Sequence, residues 1–448
     1  MKPPRNTIVG NVPSVLWYAS LSPEEVVKKE GVICRKWLAL LLLSPIKEAM
    51  NRQQNKQKHS SAKRTILQVL PELHTGGVER GTVEVASAIV QRGWRALVVS
   101  AGGSLVKQLE AAGGEHITID NMASKNPFHI ARNAEHIAKI IRDEDVDIVH
   151  ARSRAPAWSA KMAAERTNRR FITTFHGVYG LDFPLKKLYN SVMTKGERVI
   201  AVSNFVSEHI KEHYHMEASR LQVIHRGADV SRFGSDKVLA QRIAIMAKEW
   251  VLPDDDAPII LLPGRITRWK GQDIVIKALA ELKRKKFLCL LVGDGAKHPD
   301  YSNELKEMIK SSGLEGRVRL VGNTPYMNEA YAMSRVVVCP SIEPEAFGRV
   351  PVEAQACGKP VIATRHGGAC ETVIEGDTGW LVTPSDVEEM RAALLKALAL
   401  NDNEYERMAE NGIWNATENF STHAMCEKVI ALYEDVLKTP SSHLGEAA

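Results

Sequence analysis

From Thr65 onward, short runs of β-branched and aliphatic residues alternate with longer stretches in which apolar residues recur every three or four positions. Runs of four to six apolar residues bounded by turn-forming residues predict buried strands, and the three-to-four spacing predicts amphipathic helices. Strands are expected at 66–70, 96–100, 117–119, 148–151, 170–175, 199–202 and 222–225, with helices between them, for example over 78–91 and 130–142. A stretch containing Pro253 and the acidic residues 254–256 interrupts the series. The pattern then restarts with strands at 259–263, 288–292, 318–321, 336–340, 361–364 and 379–382. Strand–helix–strand alternation specifies α/β architecture with parallel sheets. Two such series predict two doubly wound domains facing across a cleft, with ligands bound outside the carboxyl ends of the strands. A last helix over 423–437 follows the second series and is expected to pack back onto the first domain.

The first 64 residues do not share this pattern. Their longest apolar run, Trp37 to Ile46, is about ten residues, far short of the roughly 20 that span a bilayer. Some thirty mixed residues precede it, which does not fit a signal peptide. Two readings stand: an interfacial anchor in which Arg35 and Lys36 flank the apolar run, or a poorly ordered extension upstream of a start at Met50. Residues 51–64 are polar and basic and cannot join a core. The expected organisation is therefore an extension over 1–64, a first domain over 65–226 joined by the helix at 420–437, a second domain over 227–419, and a tail over 438–448.

Charge changes its meaning once it is divided this way. The chain carries a formal +6, but residues 1–64 hold twelve Lys or Arg against four Asp or Glu, a net +8. The other 384 residues therefore carry a net −2, the difference between those values. A near-neutral folded body gives no support to nucleic-acid binding, which requires a basic face on the domain itself. The six cysteines show neither a C-x-x-C pair nor metal-ligand spacing. Cys289 and Cys339 lie within strand-like runs, and all six are read as reduced thiols of a cytoplasmic protein.

Candidate chemistry falls at predicted strand ends. After the strand at 336–340 comes a loop bearing Glu345, Phe347, Gly348 and Arg349, then a helix that Pro351 suits at its first turn and Gly358 at its left-handed end. Glu345 on the loop and Glu353 one turn into the helix can both face the cleft. Taken singly, Glu345 reads as a solvated loop carboxylate and Glu353 as one that complements the helix dipole. The first strand of the second domain ends in Pro263-Gly-Arg265, with Lys270-Gly271 just beyond. These two cations suit the phosphate of a leaving group, whose charge grows in the transition state. In the first domain, Gly76 and Gly77 follow the first strand, where their backbone can approach an anion at a helix N-terminus. His176 ends another strand, a position at which a lone histidine is more often structural.

Together, E-x7-E over Glu345 and Glu353 with Phe347, Gly348 and Gly358, R-x4-K-G over Arg265 to Gly271, and G-G-x-E over Gly76 to Glu79 resemble glycosyltransferase family 4. The resemblance covers 65 to about 437. It implies a GT-B fold, two Rossmann-like domains across a cleft, and retaining hexosyl transfer from a nucleotide diphosphate sugar. Glu345 would bind hydroxyls of the donor sugar and Glu353 the ribose. Arg265 and Lys270 would hold the diphosphate, and His176 would lie beside the sugar's C6 hydroxyl and reacting carbon. UDP is the commonest donor nucleotide of such families, with GDP and ADP as alternatives, and no cofactor is implied. The acceptor is not identified by the sequence; a glycan or lipid-linked molecule, such as lipopolysaccharide core or another envelope polysaccharide, is expected on the hint of residues 183–195. The apolar and basic stretch at 183–195 is read either as a contact with the anionic inner face of the cytoplasmic membrane or as an ordinary amphipathic helix.

Several signals are set aside. Asp145-Val-Asp147 matches a metal-binding D-x-D but immediately precedes a strand, and Arg265 and Lys270 can neutralise a diphosphate without metal. Asn415-Ala-Thr417 fits a glycosylation acceptor that a cytoplasmic chain would never present. The basic residues 283–286 are expected at a solvated helix end. A nucleotide-sugar epimerase, a phosphorylase or an inactive protein on the same scaffold remain alternatives. A dinucleotide oxidoreductase fits less well, because neither first strand–helix turn reads G-x-G-x-x-G.

Overall fold

The computed structural model describes residues 64–439 except Thr75 and Asp254. The readings made for residues 1–63, including the apolar run and Cys34, and for the tail beyond 439 lie outside the described residues.

The first domain contains β1 (Thr65–Val69), α1 (Gly77–Gln91), β2 (Arg95–Ser100), α2 (Val106–Ala111), β3 (Glu115–Thr118), α3 (Pro127–Asp143), β4 (Ile148–Ala151), α4 (Arg154–Arg166), β5 (Arg170–Phe175), α5 (Pro184–Asn190), β6 (Arg198–Ala201), α6 (Asn204–His213) and β7 (Leu221–Val223). The second contains α7 (Ala240–Glu249), β8 (Ile259–Pro263), α8 (Gln272–Ala280), β9 (Leu288–Val292), α9 (Pro299–Ser311), β10 (Val318–Gly322), α10 (Met327–Met333), β11 (Ser334–Cys339), α11 (Arg349–Ala356), β12 (Val361–Thr364), α12 (Ala369–Thr372), β13 (Gly379–Val382), α13 (Val387–Ala399) and α14 (Asp402–Phe420). The chain closes with α15 (Thr422–Lys438). Every predicted strand is present, within one or two residues at each end. The basic run at 283–286 is a correction: α8 stops at Ala280, and these residues form turns whose carbonyls at Lys283 and Lys285 accept from Arg317.

Both sheets are wholly parallel, in the orders β3-β2-β1-β4-β5-β6-β7 and β10-β9-β8-β11-β12-β13. Each is covered on two faces, which is why its strands are apolar at successive positions rather than alternating. Leu67, Val69, Leu97 and Val99 pack with Ile137 and Ile141 of α3 and the small residues Ala157, Ala160 and Ala163 of α4. Ile66, Ile148, Ile172 and Ile200 face the other way, onto Val85 and Ile89 of α1 and onto Val429, Ile430 and Tyr433 of α15. The last helix thus completes the core of the first domain.

The chain passes between domains twice, side by side. Ala228 N–H donates to Phe420 O at 2.8 Å, and Thr422 N–H donates to Ala228 O at 2.8 Å. A Cβ at Gly227 would overlap the backbone of Thr422, so the two crossings touch only because residue 227 has none. In each sheet the strand order reverses beside the first strand, between β1 and β4 and between β8 and β11. These switch points, where neighbouring crossovers diverge, are where the loops can open a ligand crevice.

Candidate active site

Two loops of the second domain meet at its switch point. The loop after β8 carries Arg265, Trp269 and Lys270, and the loop after β11 carries Ser341 and Glu345. They are tied together by Ile342 N–H, which donates to Trp269 O at 2.7 Å. Gly271, at φ +66°, lies so close to Pro340 that a Cβ would overlap its carbonyl oxygen.

That approach brings the charges together. Lys270 Nζ lies 2.5 Å from Glu345 Oε1, which also accepts from Ser341 Oγ at 2.6 Å. Ser341 is anchored in turn, its carbonyl accepting from Thr364 Oγ1 at 2.7 Å and lying 2.9 Å from His366 Nε2. The Trp269 ring sits between the two cations, 4.3 Å from Lys270 Nζ and 5.5 Å from Arg265 Cζ. Lys270 is 12% exposed while Arg265 is open to solvent with no carboxylate within ion-pair distance among the described residues. Arg265 is thus available to an anion that is not part of the protein.

Glu353 projects from α11, where Tyr331 OH donates to its Oε2 at 3.0 Å. The thiol of Cys339, at the end of β11, is pushed upward in pKa first by burial, then by Glu345 and Glu353, with Lys270 opposing. These three charges therefore converge on one strand end. Gly348 (φ +77°) begins α11, and Arg349 is its first residue. Phe347 is buried against Phe420, while Gly358 (φ +65°) ends the helix in the left-handed conformation expected for it.

The first domain presents Gly76, Gly77 and His176. Gly76 caps α1 without a side-chain hydrogen bond, and the Gly77 carbonyl accepts from the Arg226 guanidinium. A Cβ at Gly77 would overlap that guanidinium, the far end of a long side chain, rather than any backbone. Burial, then the neighbouring Arg349, lowers the pKa of Arg226 to about 10. His176 is partly exposed as a residue, yet both ring nitrogens are shut from solvent and without partners in the described structure. Its pKa is held well below the ordinary histidine value by burial and then by Arg152 and Arg226, so the ring is neutral. A small cavity of about 20 Å³ adjoins it, lined by Gly81, Arg152 and Arg226. Beside it, Gly177 faces Ala346 of the second domain's loop at 3.9 Å, measured from an ideal Cβ. The strand end that carries His176 thus comes against the loop that carries Glu345, while Phe347 of that loop is buried.

A second cavity, of about 970 Å³, lies elsewhere, between α1, α15 and residues 229–231, and is lined by none of the predicted residues. Size alone does not make it the site, because the opposed charges and unpartnered donors converge at the switch points instead. Asp147 accepts from Arg64 at 3.1 Å and from Thr65 N–H at 2.8 Å, and so forms the polar start of a strand. Asn415 is buried, donating to Gln355 at 2.8 Å and Thr372 O at 3.0 Å, and cannot be reached for modification. Among the described residues no group of three or more His, Cys, Asp or Glu side chains could hold a metal. No helix among them is long and apolar enough to cross a membrane.

Comparison with known proteins fixes the family. Residues 75–232 match Glycosyltransferase Family 4, and residues 247–413 match Glycosyl transferases group 1. The chain is 30% identical over 328 residues to N-acetyl-alpha-D-glucosaminyl L-malate synthase of Bacillus anthracis, covering 70% of this chain and 80% of that one. It belongs to glycosyltransferase family 4. A glycosyltransferase crystal structure from Rickettsia africae superposes on this enzyme with a TM-score of 0.79 at 41% identity, covering 85% of this chain and all of that one. Anabaena HepE in complex with UDP-glucose is 24% identical with a TM-score of 0.69, over 83% of this chain and 99% of that one, and shares the GT-B fold. This family 4 glycosyltransferase therefore has the fold and enzyme class its motifs implied. Its sequence singled out neither Trp269 beside the two cations, nor Ser341 and Tyr331 as supports of the acidic pair, nor Arg152 and Arg226 beside His176. Buried polar residues at strand ends were the available signal, and without a fold they could not be told from ordinary core polar groups.

Proposed function

We propose that this enzyme transfers a hexosyl group, with retention of anomeric configuration, from a nucleotide diphosphate sugar to a glycan or lipid-linked acceptor of the cell envelope. The observation that carries this reading is the Lys270–Glu345 pair beside Arg265, which has no carboxylate partner among the described residues, at the switch point facing the first domain. Arg265 and Lys270 take the diphosphate. Their fixed charge stabilises the departing phosphate more than the bound ground state, which is what accelerates the step. Glu345 is released from Lys270 to accept from sugar hydroxyls, and Glu353 accepts from the ribose. Neutral His176 holds one unpartnered donor and one unpartnered acceptor, closed off from solvent, and the ring must turn toward the crevice for either to meet the sugar. Gly76, Gly77 and the backbone at Phe347 to Arg349 line the phosphate and sugar contacts. Departure and attack occur on one face, and neither Glu345 nor Glu353 serves as a covalent nucleophile. With two cations at the leaving group, the mechanism calls for no metal.

UDP is the nucleotide we favour, since HepE, which shares the fold, is bound to UDP-glucose. The Bacillus anthracis relative is named for L-malate, which is not a glycan, so family membership does not set the acceptor. A cytoplasmic enzyme working at an anionic membrane face is supported by α5 and its surroundings. Leu185 (73%), Leu188 (63%) and Phe183 (55%) are exposed among Lys186 and Lys187. Lys125, 5.7 Å from the Tyr189 ring, adds charge to the same surface.

A panel of UDP-, GDP- and ADP-sugars, scored by thermal shift and by slow donor hydrolysis, tests the transferase reading. One nucleotide series is expected to stabilise the protein and release its nucleotide, and failure of all three to bind would refute it. Flotation with anionic and with neutral vesicles tests the membrane contact. Leu185→Asp with Leu188→Asp is expected to abolish flotation with the anionic vesicles.

A further inference from the structure

The carboxylate of Glu371, on α12 of the second domain, is fully occupied by groups outside that domain. Its Oε1 accepts from Phe205 N–H at 2.8 Å. Its Oε2 accepts from Asn204 N–H at 2.7 Å and Asn204 Nδ2 at 2.9 Å, and lies 2.7 Å from His225 Nε2. Asn204 and Phe205 are the first two residues of α6, and His225 follows β7.

These contacts complete a helix cap across the domain boundary. A helix leaves its first N–H groups without partners. Ser203 Oγ accepts from Val206 N–H at 3.1 Å, which leaves the N–H groups of Asn204 and Phe205 for Glu371. A negative charge there also meets the positive end of the helix dipole. Only 12% of the Glu371 side chain is exposed, and burial opposes its ionisation. The donors from His225, Phe205 and Asn204 outweigh that cost and hold its pKa below the ordinary carboxylate value.

The other side of the same turn supports the candidate sugar site. Gly368 N–H donates to Glu345 O at 2.8 Å, and Glu371 N–H donates to Gly368 O at 3.1 Å. Gly367, at φ +58°, and Gly368 lie so close to Glu345 and Phe347 that a Cβ on either would overlap their backbone. One short segment therefore holds the Glu345 loop at one end and the first domain at the other.

We propose that Glu371 is a positioning residue that clasps the two domains together and so sets the Glu345 loop against the first domain's wall of the crevice. The part concerning sugar transfer rests on the donor-site reading above. The clasp itself does not.

The test compares full-length wild type with Glu371→Ala, Glu371→Gln and Asn204→Ala. Small-angle X-ray scattering, with and without UDP, reads closure, and steady-state kinetics with UDP-glucose as probe donor read positioning. Glu371→Ala is expected to enlarge the radius of gyration beyond error and to lower kcat by about 10²-fold, as a misplaced group remote from the chemistry can, with KM changed far less. Glu371→Gln, which keeps the shape and loses the charge, and Asn204→Ala, which removes one donor, are expected to change in the same direction by less. They carry the test if the alanine variant at 371 does not fold. Unchanged scattering in the folded variants would overturn the clasp, even if melting temperatures fall. Unchanged kcat with enlarged dimensions would overturn the positioning role. If UDP fails to bind wild type, the donor-site reading fails while scattering still decides the clasp.

Discussion

Lys270 Nζ and Glu345 Oε1 lie 2.5 Å apart at the meeting of two strand-end loops, each supplying the other's countercharge while no anionic donor is bound. On the proposed reading, donor binding exchanges this contact, the diphosphate taking the lysine and the sugar the carboxylate. A pre-paired site of this kind avoids holding either charge unsolvated, since Lys270 is 12% exposed.

Removing either cation should therefore affect turnover more than folding. Lys270→Ala and Arg265→Ala are each expected to lower kcat by about 10²-fold or more, by analogy with loss of one oxyanion donor. Arg265 is exposed and has no carboxylate partner among the described residues, so its variant should melt close to wild type. Steady-state kinetics with a melting curve check both, and wild-type turnover in either variant would contradict the leaving-group role.

The supports of the acidic pair make a separate prediction. Tyr331 is fully buried, and its OH donates to Glu353. Tyr331→Phe leaves that carboxylate oxygen without its donor, at a cost of about 1 to 2 kcal/mol in stability. Looser orientation of Glu353 should weaken UDP binding by about fivefold, equivalent to about 1 kcal/mol. Urea unfolding and calorimetric titration with UDP measure the two effects independently.

How far the sequence reaches can be judged at these residues. The strands were legible because each is a short apolar run covered on two faces, as at Ile259–Pro263, where all five residues are buried. The charged residues at their ends were legible because their spacing matches a family pattern. Partnerships between distant segments were not. Ser341 with Glu345 is a local contact, but Tyr331 with Glu353 and Glu371 with Asn204 depend on which crossover lies beside which, a property of the folded topology. The helix end near 283 was misplaced because lysines favour helix and solvated turn alike, whereas Arg317, in the turn that precedes β10, holds the Lys283 and Lys285 carbonyls in a turn.

Two glycines of equal conformation separate strain from positioning. Gly271 and Gly313 both lie near φ +65°. A Cβ at Gly271 would overlap the Pro340 carbonyl oxygen, whereas at Gly313 it would meet only the flexible Lys283 ammonium at 3.6 Å. Both alanine variants should lose roughly 1 kcal/mol or somewhat more from the left-handed backbone. Gly271→Ala alone should lose further stability and turnover, because it pushes the Lys270 loop away from Glu345. Equal kcat in the two variants would show that the close approach does not position the site.

The buried histidines predict how stability follows pH. His150 is fully buried, paired through Nδ1 with Tyr433 and through Nε2 with Thr174, and burial holds its pKa well below the ordinary value of 6.5. His176 is held down in the same way. Below pH 6.5 the unfolded chain gains a proton at each site that the native state refuses, so stability is full above that pH and falls as pH drops. For a ring that stays neutral the loss between pH 7.5 and 5 is roughly 2 kcal/mol per histidine. Glu84, raised in pKa by burial, acts in the opposite sense and offsets part of it. Urea unfolding at pH 7.5, 6 and 5 should show this decline, and His150→Gln should flatten it by one histidine's share. A profile in the variant as steep as in wild type would mean that His150 takes up its proton in the folded protein, against its burial between Tyr433 and Thr174.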